Sequence, residues 1–331
     1  MIKFIKPQLG EINRYIVTIN RIHVLVVTNV EGILNSVVHT DNYIAAKKAS
    51  PYCGLPTIFI LFNSSIDSNY TVHSSNKNDN NNIRSEEIIY PNKLFRYGSQ
   101  SVLFNFYPNN SIILHDSDKM TYIIVASVKE ALVLYLKMYL KKVVLCSIQN
   151  LCALHASSVG TKFGGFVFLG QGNAGKSTLA LNLCQHGWEM LNDDLIFLSN
   201  SSDSINIRGI DINPCVRGES IPYIENSREL LMSDRCMYNK YHDCYYLTSI
   251  NTLKLSIPLK GIFILQKEFN NSSLLSEITD LELKKEVLKK YIRNDFDVED
   301  QLFLKLGSIP MYKLNITRPI SQIVSCLKSF E

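Results

Sequence analysis

The residues with the clearest chemical potential form the stretch GQGNAGKS, Gly170 to Ser177, which fits the pattern GxxxxGK(S/T) in full. Glycines in such a loop let backbone amides turn inward around an anion, and the Lys176 ammonium can reach the outer phosphates. The Ser177 hydroxyl stands at the start of the helix that should follow, where it can bind Mg²⁺. The residues predicted to hold a nucleotide are Gly170, Gly172, Asn173, Ala174, Gly175, Lys176, Ser177 and Thr178.

Two adjacent carboxylates, Asp193 and Asp194, follow this loop closely. The sequence predicts a helix over 176–185, ended near Gly187, which carries the chain about 15 Å away from the phosphates. A strand over 188–192 should return by a similar distance. Both aspartates therefore come back to the level of the phosphates. One could bind Mg²⁺, and the other could accept a proton from an attacking hydroxyl.

A single histidine, His155, precedes the phosphate loop. It lies in the apolar stretch CALHASSV, 152–159, which predicts a strand, and GFVFLG, 165–170, predicts a second strand that enters the loop after a turn at 160–164. A lone histidine in an apolar strand is more often a core residue than a catalytic one. Its place just before the loop makes His155 a candidate site residue.

The first third of the chain is rich in strand signals. Residues 15–38 are β-branched and apolar with turn residues between them, and TIFILF at 57–62 predicts a buried strand. Residues 63–87, with the core SSNKNDNNN, are polar and without periodicity, which predicts a mobile loop. A hairpin is expected over 101–114, with YPNN at 107–110 as its turn.

An amphipathic helix is predicted over SVKEALVLYLKMYLKK, 127–142, with Ser127 and Glu130 as a capping box. Its apolar face should carry Val128, Ala131, Leu134 and Met138. We expect this helix to open the second of two domains. The predicted domains are a β-rich N-terminal domain over 1–125, which contains the Asn-rich loop, and a catalytic domain over 126–331.

After the aspartates the chain alternates short strands and polar turns, which predicts an α/β domain with mixed strands. The strand candidates are SINIRGIDI at 204–212, LKGIFILQK at 259–267 and MYKLNI at 311–316. Helices are expected over 281–293 and at PISQIVSCLKSF, 319–330, where Pro319 stands near the helix start.

Composition excludes several classes of protein. The chain has 331 residues, 46% of them hydrophobic and 19% charged, which is typical of a globular protein. A formal net charge of +4 implies no strong attraction to nucleic acid or to a membrane surface. The eight cysteines form no CxxC pair and are expected to be reduced. Without a recognisable signal peptide or apolar span, we expect a soluble, cytoplasmic protein.

The stretch LHASSV, the strand FVFLG, the loop GQGNAGKS and the ending HGWEMLNDD together resemble the catalytic core of HPr kinase/phosphorylase and of HPr-kinase-like serine kinases found beside peptide-modification genes. INIRGIDI and NPCVRG extend the resemblance toward the C-terminus. It implies an α/β P-loop kinase domain of the HPr kinase/PEP carboxykinase type behind a smaller β-rich domain. Asn206 stands where the bifunctional enzymes carry an acid, which favours the kinase-like branch.

The resemblance also implies site roles and an activity. It implies transfer of the γ-phosphate of ATP to a serine hydroxyl, with Lys176 on the phosphates and Ser177 and Asp194 as Mg²⁺ ligands. Asp193 would be the base, His155 would assist, and Arg217, with Arg208, would stabilise the transferred charge. Homo-oligomers are implied as well.

Three functions remain open from the sequence. The first is a serine kinase for a peptide or small protein, such as the precursor of a ribosomally made, modified peptide. The second is a kinase for a small molecule, such as free serine or a sugar. The third is a nucleotide-dependent module that binds a partner and turns over little ATP.

Overall fold

A computed structural model describes most of the chain. The described residues are 11–19, 21–38, 43–46, 55–62, 85–89, 92–97, 100–105, 111–118, 120–148, 151–201, 204–210, 212–232, 236–239, 243–247, 256–267, 273–292, 300–317 and 319–330. Within these ranges, no helix is long and apolar enough to cross a membrane.

The chain divides into two compact units. The first comprises Met1–Val144 with Lys240–His242, and the second comprises Leu145–Asn239 with Asp243–Glu331. This division falls inside a long helix, whereas the boundary predicted from the sequence, after residue 125, lies just before that helix. The predicted boundary therefore stays a prediction about folding domains.

The first unit contains a nine-stranded sheet with the order β3-β1-β2-β4-β9-β8-β7-β6-β5. Its strands are β1 (Asn13–Ile19), β2 (Ile22–Thr28), β3 (Tyr43–Ala45), β4 (Thr57–Phe62), β5 (Ser85–Ile89), β6 (Asn92–Tyr97), β7 (Gln100–Asn105), β8 (Ser111–Asp116) and β9 (Thr121–Ala126). The predicted strand at 57–62 is confirmed as β4, and the predicted hairpin is confirmed as β7 and β8, which pair antiparallel. The turn of that hairpin lies outside the described residues.

One prediction in this unit is wrong at its end. The Asn-rich loop was expected over 63–87, but its last three residues belong to β5, where Ser85 pairs with Arg96 and Glu87 pairs with Leu94. A ladder of backbone hydrogen bonds to β6 accounts for the strand, since such pairing does not require apolar side chains on both strands. The stretch 63–84 lies outside the described residues.

The predicted helix is present as α1 (Lys129–Ser147), but its expected buried face is correct only in part: Ala131 is buried, whereas Leu134 and Met138 are not. Leu134 and Met138 are 41% and 45% exposed. The helix turns a different side toward the first sheet: Tyr135 shares a hydrogen bond of 2.8 Å with Ser111, and the Tyr139 ring lies 4.6 Å from the Tyr122 ring. Apolar residues occur all around α1, so their spacing alone does not select the side that packs.

The second unit contains the remaining strands and helices. The strands are β10 (Leu151–Leu154), β11 (Ser157–Thr161), β12 (Gly164–Leu169), β13 (Glu189–Asn192), β14 (Ile196–Asn200), β15 (Ile205–Arg208), β16 (Cys215–Arg217), β17 (Cys236–Asn239), β18 (Cys244–Leu247), β19 (Ser256–Gln266), β20 (Leu275–Glu277) and β21 (Met311–Asn315). The helices are α2 (Lys176–Gln185), α3 (Ser227–Met232), α4 (Leu281–Tyr291), α5 (Asp300–Ser308) and α6 (Ile320–Lys328). This confirms a mixed α/β architecture.

The strands of the second unit form a mixed sheet with a core on each face. β12 pairs parallel with β19, and β19 pairs parallel with β21, whereas β11 pairs antiparallel with both β12 and β13. Side chains alternate along β12: Phe166 and Phe168 join a core with residues of α2 and α6, and Val167 and Leu169 join a core with residues of α4 and α5. Helices therefore cover both faces of the sheet. β16, β18 and β17 form a separate antiparallel sheet in that order.

The strand predicted over 152–159 is interrupted at His155 and Ala156. β10 pairs with β14, whereas β11 pairs with β12 and β13, so the chain changes partners at this point. His155 therefore lies between two strands and not within one. Helix α5, whose Leu306 is fully buried, was not predicted from the sequence.

Candidate functional site

The site is built at one edge of the mixed sheet. β12 and β13 both pair antiparallel with β11, so they run in the same direction and their ends meet at the edge where β11 begins. The phosphate loop follows β12, Asp193 follows β13, and Ser157 opens β11. Helix α2 connects the end of β12 to the start of β13. Its predicted bounds, 176–185, are confirmed, and Gly187 ends the turn after it with a φ of 91°.

Two residues of the predicted phosphate loop have a left-handed backbone conformation. Gly175 has a φ of 93° and Asn173 a φ of 63°, both in the left-handed region. Lys176 is buried, and its ammonium donates hydrogen bonds to the carbonyls of Gly170 and Gln171 at 2.9 and 3.1 Å. The Lys176 side chain is therefore folded over the loop, and its ammonium lies beside the loop backbone.

The conformation of Gly175 makes a testable prediction about stability. Gly175→Ala should destabilise the protein by about 1 to 2 kcal/mol, because an L side chain is strained at this φ, and its Cβ would lie 3.2 Å from Ile316 Cδ1. Gly172→Ala is the matched control, since nothing lies within 4 Å of a Cβ there. Thermal denaturation measures both. A Gly175→Ala protein as stable as the wild type would contradict the loop conformation.

Asp193 is the most connected carboxylate of the site. Its side chain is buried, and Oδ1 accepts hydrogen bonds from the hydroxyls of Ser177 at 2.6 Å and Ser157 at 2.8 Å. Its Oδ2 accepts a longer one, 3.4 Å, from the backbone amide of Cys215. The carboxylate is thus fixed against the first turn of α2, the position where a P-loop serine binds metal.

Asp194 lies in a different environment. Its side chain is 63% exposed, its φ is 71°, and its Oδ1 lies 3.5 Å from Nδ1 of His155. The backbone of His155 is held by a 2.8 Å hydrogen bond from its amide to the carbonyl of Tyr291. The two adjacent aspartates therefore lie in different environments: one is buried against Ser177, and the other is exposed beside a histidine.

Two cations meet the phosphate loop from other elements. Arg217, at the end of β16, donates to the side-chain oxygen of Asn173 at 2.8 Å and lies 3.6 Å from Glu219. Lys267, directly after β19, lies 3.4 Å from the backbone oxygen of Asn173. Positive charge therefore stands at the rim of the loop on Asn173, which is the charge expected around a phosphate site.

Arg208 is the other arginine that the sequence suggested, and it forms no hydrogen bond with the described residues of the loop. It lies at the end of β15, and its buried Nε has no hydrogen-bond partner among the described residues. The buried Asn192 side chain holds the adjacent backbone, because it donates to the carbonyl of Arg208 at 2.6 Å and accepts from the amide of Ile210 at 2.9 Å.

Three groups at the site were not predicted from the sequence. These are the Ser157 hydroxyl, the Cys215 amide and the Lys267 ammonium. Ser157 could have been suspected from its position two residues after His155 in the stretch LHASSV. Lys267 and Cys215 could not, because only the sheet order and the fold of the β16–β18–β17 sheet bring them there.

The donor set at the end of β13 fits a magnesium ion. A serine hydroxyl and a carboxylate are hard oxygen ligands, and Mg²⁺ is commonly held by one or two protein oxygens together with substrate phosphates. Within the described ranges, no three histidine, cysteine or acidic side chains are grouped to hold a metal by themselves. The arrangement therefore fits a metal bound jointly with a phosphate chain.

Comparisons with known proteins give limited information on this chain. No family model matches the sequence, and no curated protein matches it. Among solved structures, the HPr(Ser) kinase/phosphatase from Coxiella burnetii is similar, with a TM-score of 0.31 and 14% sequence identity. The match covers 54% of this chain and 94% of that one. The chain thus has a weak structural likeness to a kinase/phosphatase.

Proposed function

We propose that this protein is a Mg²⁺- and ATP-dependent kinase of the HPr-kinase-like type, which phosphorylates a serine hydroxyl of a peptide or small protein. The observation that carries the proposal is the pair of contacts at the phosphate loop: Ser177 on Asp193 at 2.6 Å, and Asp194 beside His155 at 3.5 Å. Together they supply a metal position and a separate exposed carboxylate, the two protein functions that phosphoryl transfer to a hydroxyl requires.

We propose that Ser177 and Asp193 hold the metal and that the loop holds the phosphates. Bound Mg²⁺ would neutralise charge on the β- and γ-phosphates. The backbone amides of the loop and the Lys176 ammonium bind phosphate oxygens, and the Ser157 hydroxyl keeps the Asp193 carboxylate turned toward Ser177. This assigns Asp193, and not Asp194, to the metal, the reverse of the assignment that the family resemblance implies.

Asp194 is the proposed general base. The acceptor hydroxyl gives its proton to the Asp194 carboxylate while its oxygen forms a bond to the γ-phosphorus. The bond from that phosphorus to the bridging oxygen breaks, and ADP leaves with the bridging oxygen. His155 orients the carboxylate from its Oδ1 side, and its backbone is anchored on Tyr291. Exposure of Asp194 suits this role, because an acceptor must approach it from solvent.

Arg217 is proposed to stabilise charge on the transferred phosphoryl group, since its guanidinium already reaches the loop at Asn173. We propose ATP as the phosphate donor and a peptide or small protein as the acceptor. We also propose that the protein is cytoplasmic, forms a homo-oligomer and does not bind nucleic acid or a membrane. Light scattering of the purified chain tests the oligomer directly.

The activity is tested with γ-labelled ATP, Mg²⁺ and three sets of acceptors: serine-bearing peptides, small proteins and a metabolite extract. Label in a peptide or protein is the expected result. Label only in a metabolite would assign the small-molecule kinase, and ATP binding with little turnover would assign the nucleotide-dependent binding module. ATP hydrolysis without transfer to any acceptor would contradict the proposal.

A further inference from the structure

Lys267 is a lysine that the proposed mechanism does not use. It follows the last residue of β19, the strand that pairs parallel with β12, so it lies at the sheet edge where the phosphate loop begins. Its Nζ is 3.4 Å from the backbone oxygen of Asn173. None of the carboxylates in the described part of the chain forms an ion pair with Lys267. Within the described ranges, the partner of this exposed ammonium is therefore a neutral oxygen.

Two cationic side chains contact different oxygens of Asn173. Arg217 bonds its side-chain oxygen at 2.8 Å, and Lys267 approaches its backbone oxygen. Asn173 is near the middle of the loop and has a left-handed φ of 63°. Both cations are thus anchored beside the outer part of the loop, while Lys176 lies at its base on the carbonyls of Gly170 and Gln171.

Charge decides what can displace these contacts. Both contacts already have an ionised donor, and a phosphate oxygen adds the attraction of an opposite charge, which a neutral amide or carbonyl oxygen does not supply. A phosphate oxygen at the loop rim would therefore outcompete the Asn173 oxygens for the ammonium and the guanidinium. A diphosphate places its charge within the backbone cradle, whereas a triphosphate extends a further, highly charged group outward.

We infer that Lys267 is a ligand of the terminal phosphate of a nucleoside triphosphate, and that it makes the site select triphosphate over diphosphate. This rests on the proposed function and adds a second cation at Asn173, on its backbone oxygen, to Arg217 on its side-chain oxygen. The selectivity has a use in turnover, since ADP loses the Lys267 contact once the terminal phosphoryl group has been transferred.

The test is calorimetric binding of ATP and ADP, with Mg²⁺, to the full-length wild type, Lys267→Met, Lys267→Arg and Lys260→Met. Lys260 is an exposed lysine near the middle of the same strand, about 23 Å from Lys267 along the chain, and its variant loses the same charge. Lys267→Met should weaken ATP binding about tenfold and ADP binding less than twofold, as expected for one charged contact. Lys267→Arg should keep most of the preference, and Lys260→Met should match the wild type.

The possible results separate two failures. If Lys267→Met weakened ATP binding and ADP binding equally, or weakened neither, the assignment of Lys267 would be overturned. ATP binding by the wild type would still support the proposed function. A wild-type protein that binds neither nucleotide would overturn both. The same ATP preference in the Met variant as in the wild type also counts against Lys267.

Discussion

Replacement of Asp194 by asparagine is expected to lower phosphoryl transfer by about two to four orders of magnitude, the usual contribution of a general base. ATP affinity should change little, because the carboxylate is 63% exposed and points to His155 rather than to the loop. Asparagine has nearly the same shape and tolerates the left-handed φ of 71° at this position. The loss therefore reports on the proton acceptor and not on folding.

The measurement is single-turnover transfer from γ-labelled ATP, together with calorimetric ATP binding. Asp194→Asn should bind ATP as the wild type does but transfer the label about two to four orders of magnitude more slowly, by the usual contribution of a general base. Asp280→Asn is the matched control, since Asp280 caps α4 through a 2.8 Å hydrogen bond from the Leu283 amide and asparagine caps equally well. A near wild-type rate for Asp194→Asn would remove Asp194 from the base role and return that role to Asp193.

Local sequence signals predicted the part of the site that one continuous segment builds. The bounds of α2 were predicted to the residue, because a glycine-rich loop precedes the helix and Gly187 follows it. The return of β13 could be computed from helix rise and strand rise alone, and Asp193 does reach Ser177. Rise per residue fixes distance along the chain, which is why the aspartate pair could be located.

The same reasoning could not tell which of Asp193 and Asp194 is the proposed metal ligand and which is the proposed base. Which carboxylate turns inward depends on the positive φ of Asp194 and on Ser157, which reaches Asp193 from a neighbouring strand. Likewise Lys267 is separated from Asn173 by 94 residues and joins the loop only through the pairing of β19 with β12. Sheet order is a long-range property, so neither contact is encoded in a local pattern.

The prediction of the buried face of α1 was incomplete for a related reason. The helix has apolar residues on all sides, and its packed side is determined by partners such as Tyr122 of β9, whose ring contacts that of Tyr139. Periodicity predicts a face only where polar residues define the opposite one. The helix itself was predicted correctly from the same sequence, since its existence depends on local propensity.

The second large effect is expected for Asp193→Asn, which should raise the Mg²⁺ concentration needed for half-maximal activity by about 10- to 100-fold. The variant removes a charged oxygen ligand and places either an amide group or a neutral oxygen against two hydroxyl donors and the Cys215 amide. If the side-chain NH₂ of the asparagine faces the Cys215 amide, two hydrogen-bond donors face each other without an acceptor. A loss of thermal stability should therefore accompany the loss of metal affinity. Asp194→Asn should leave the Mg²⁺ requirement unchanged.

Ser157→Ala separates the metal role of Asp193 from its packing role. It removes one hydroxyl donor to Oδ1 and leaves the Ser177 contact at 2.6 Å in place. One hydrogen bond is worth about 1 kcal/mol, so the Mg²⁺ requirement should rise only about fivefold. Activity titrated with Mg²⁺ at saturating ATP orders the variants: Asp193→Asn well above Ser157→Ala, and Ser157→Ala above Asp194→Asn. If Asp194→Asn shifted the Mg²⁺ titration and Asp193→Asn did not, the exposed aspartate would be the metal ligand, and the buried contact with Ser177 would serve only to fix the start of α2.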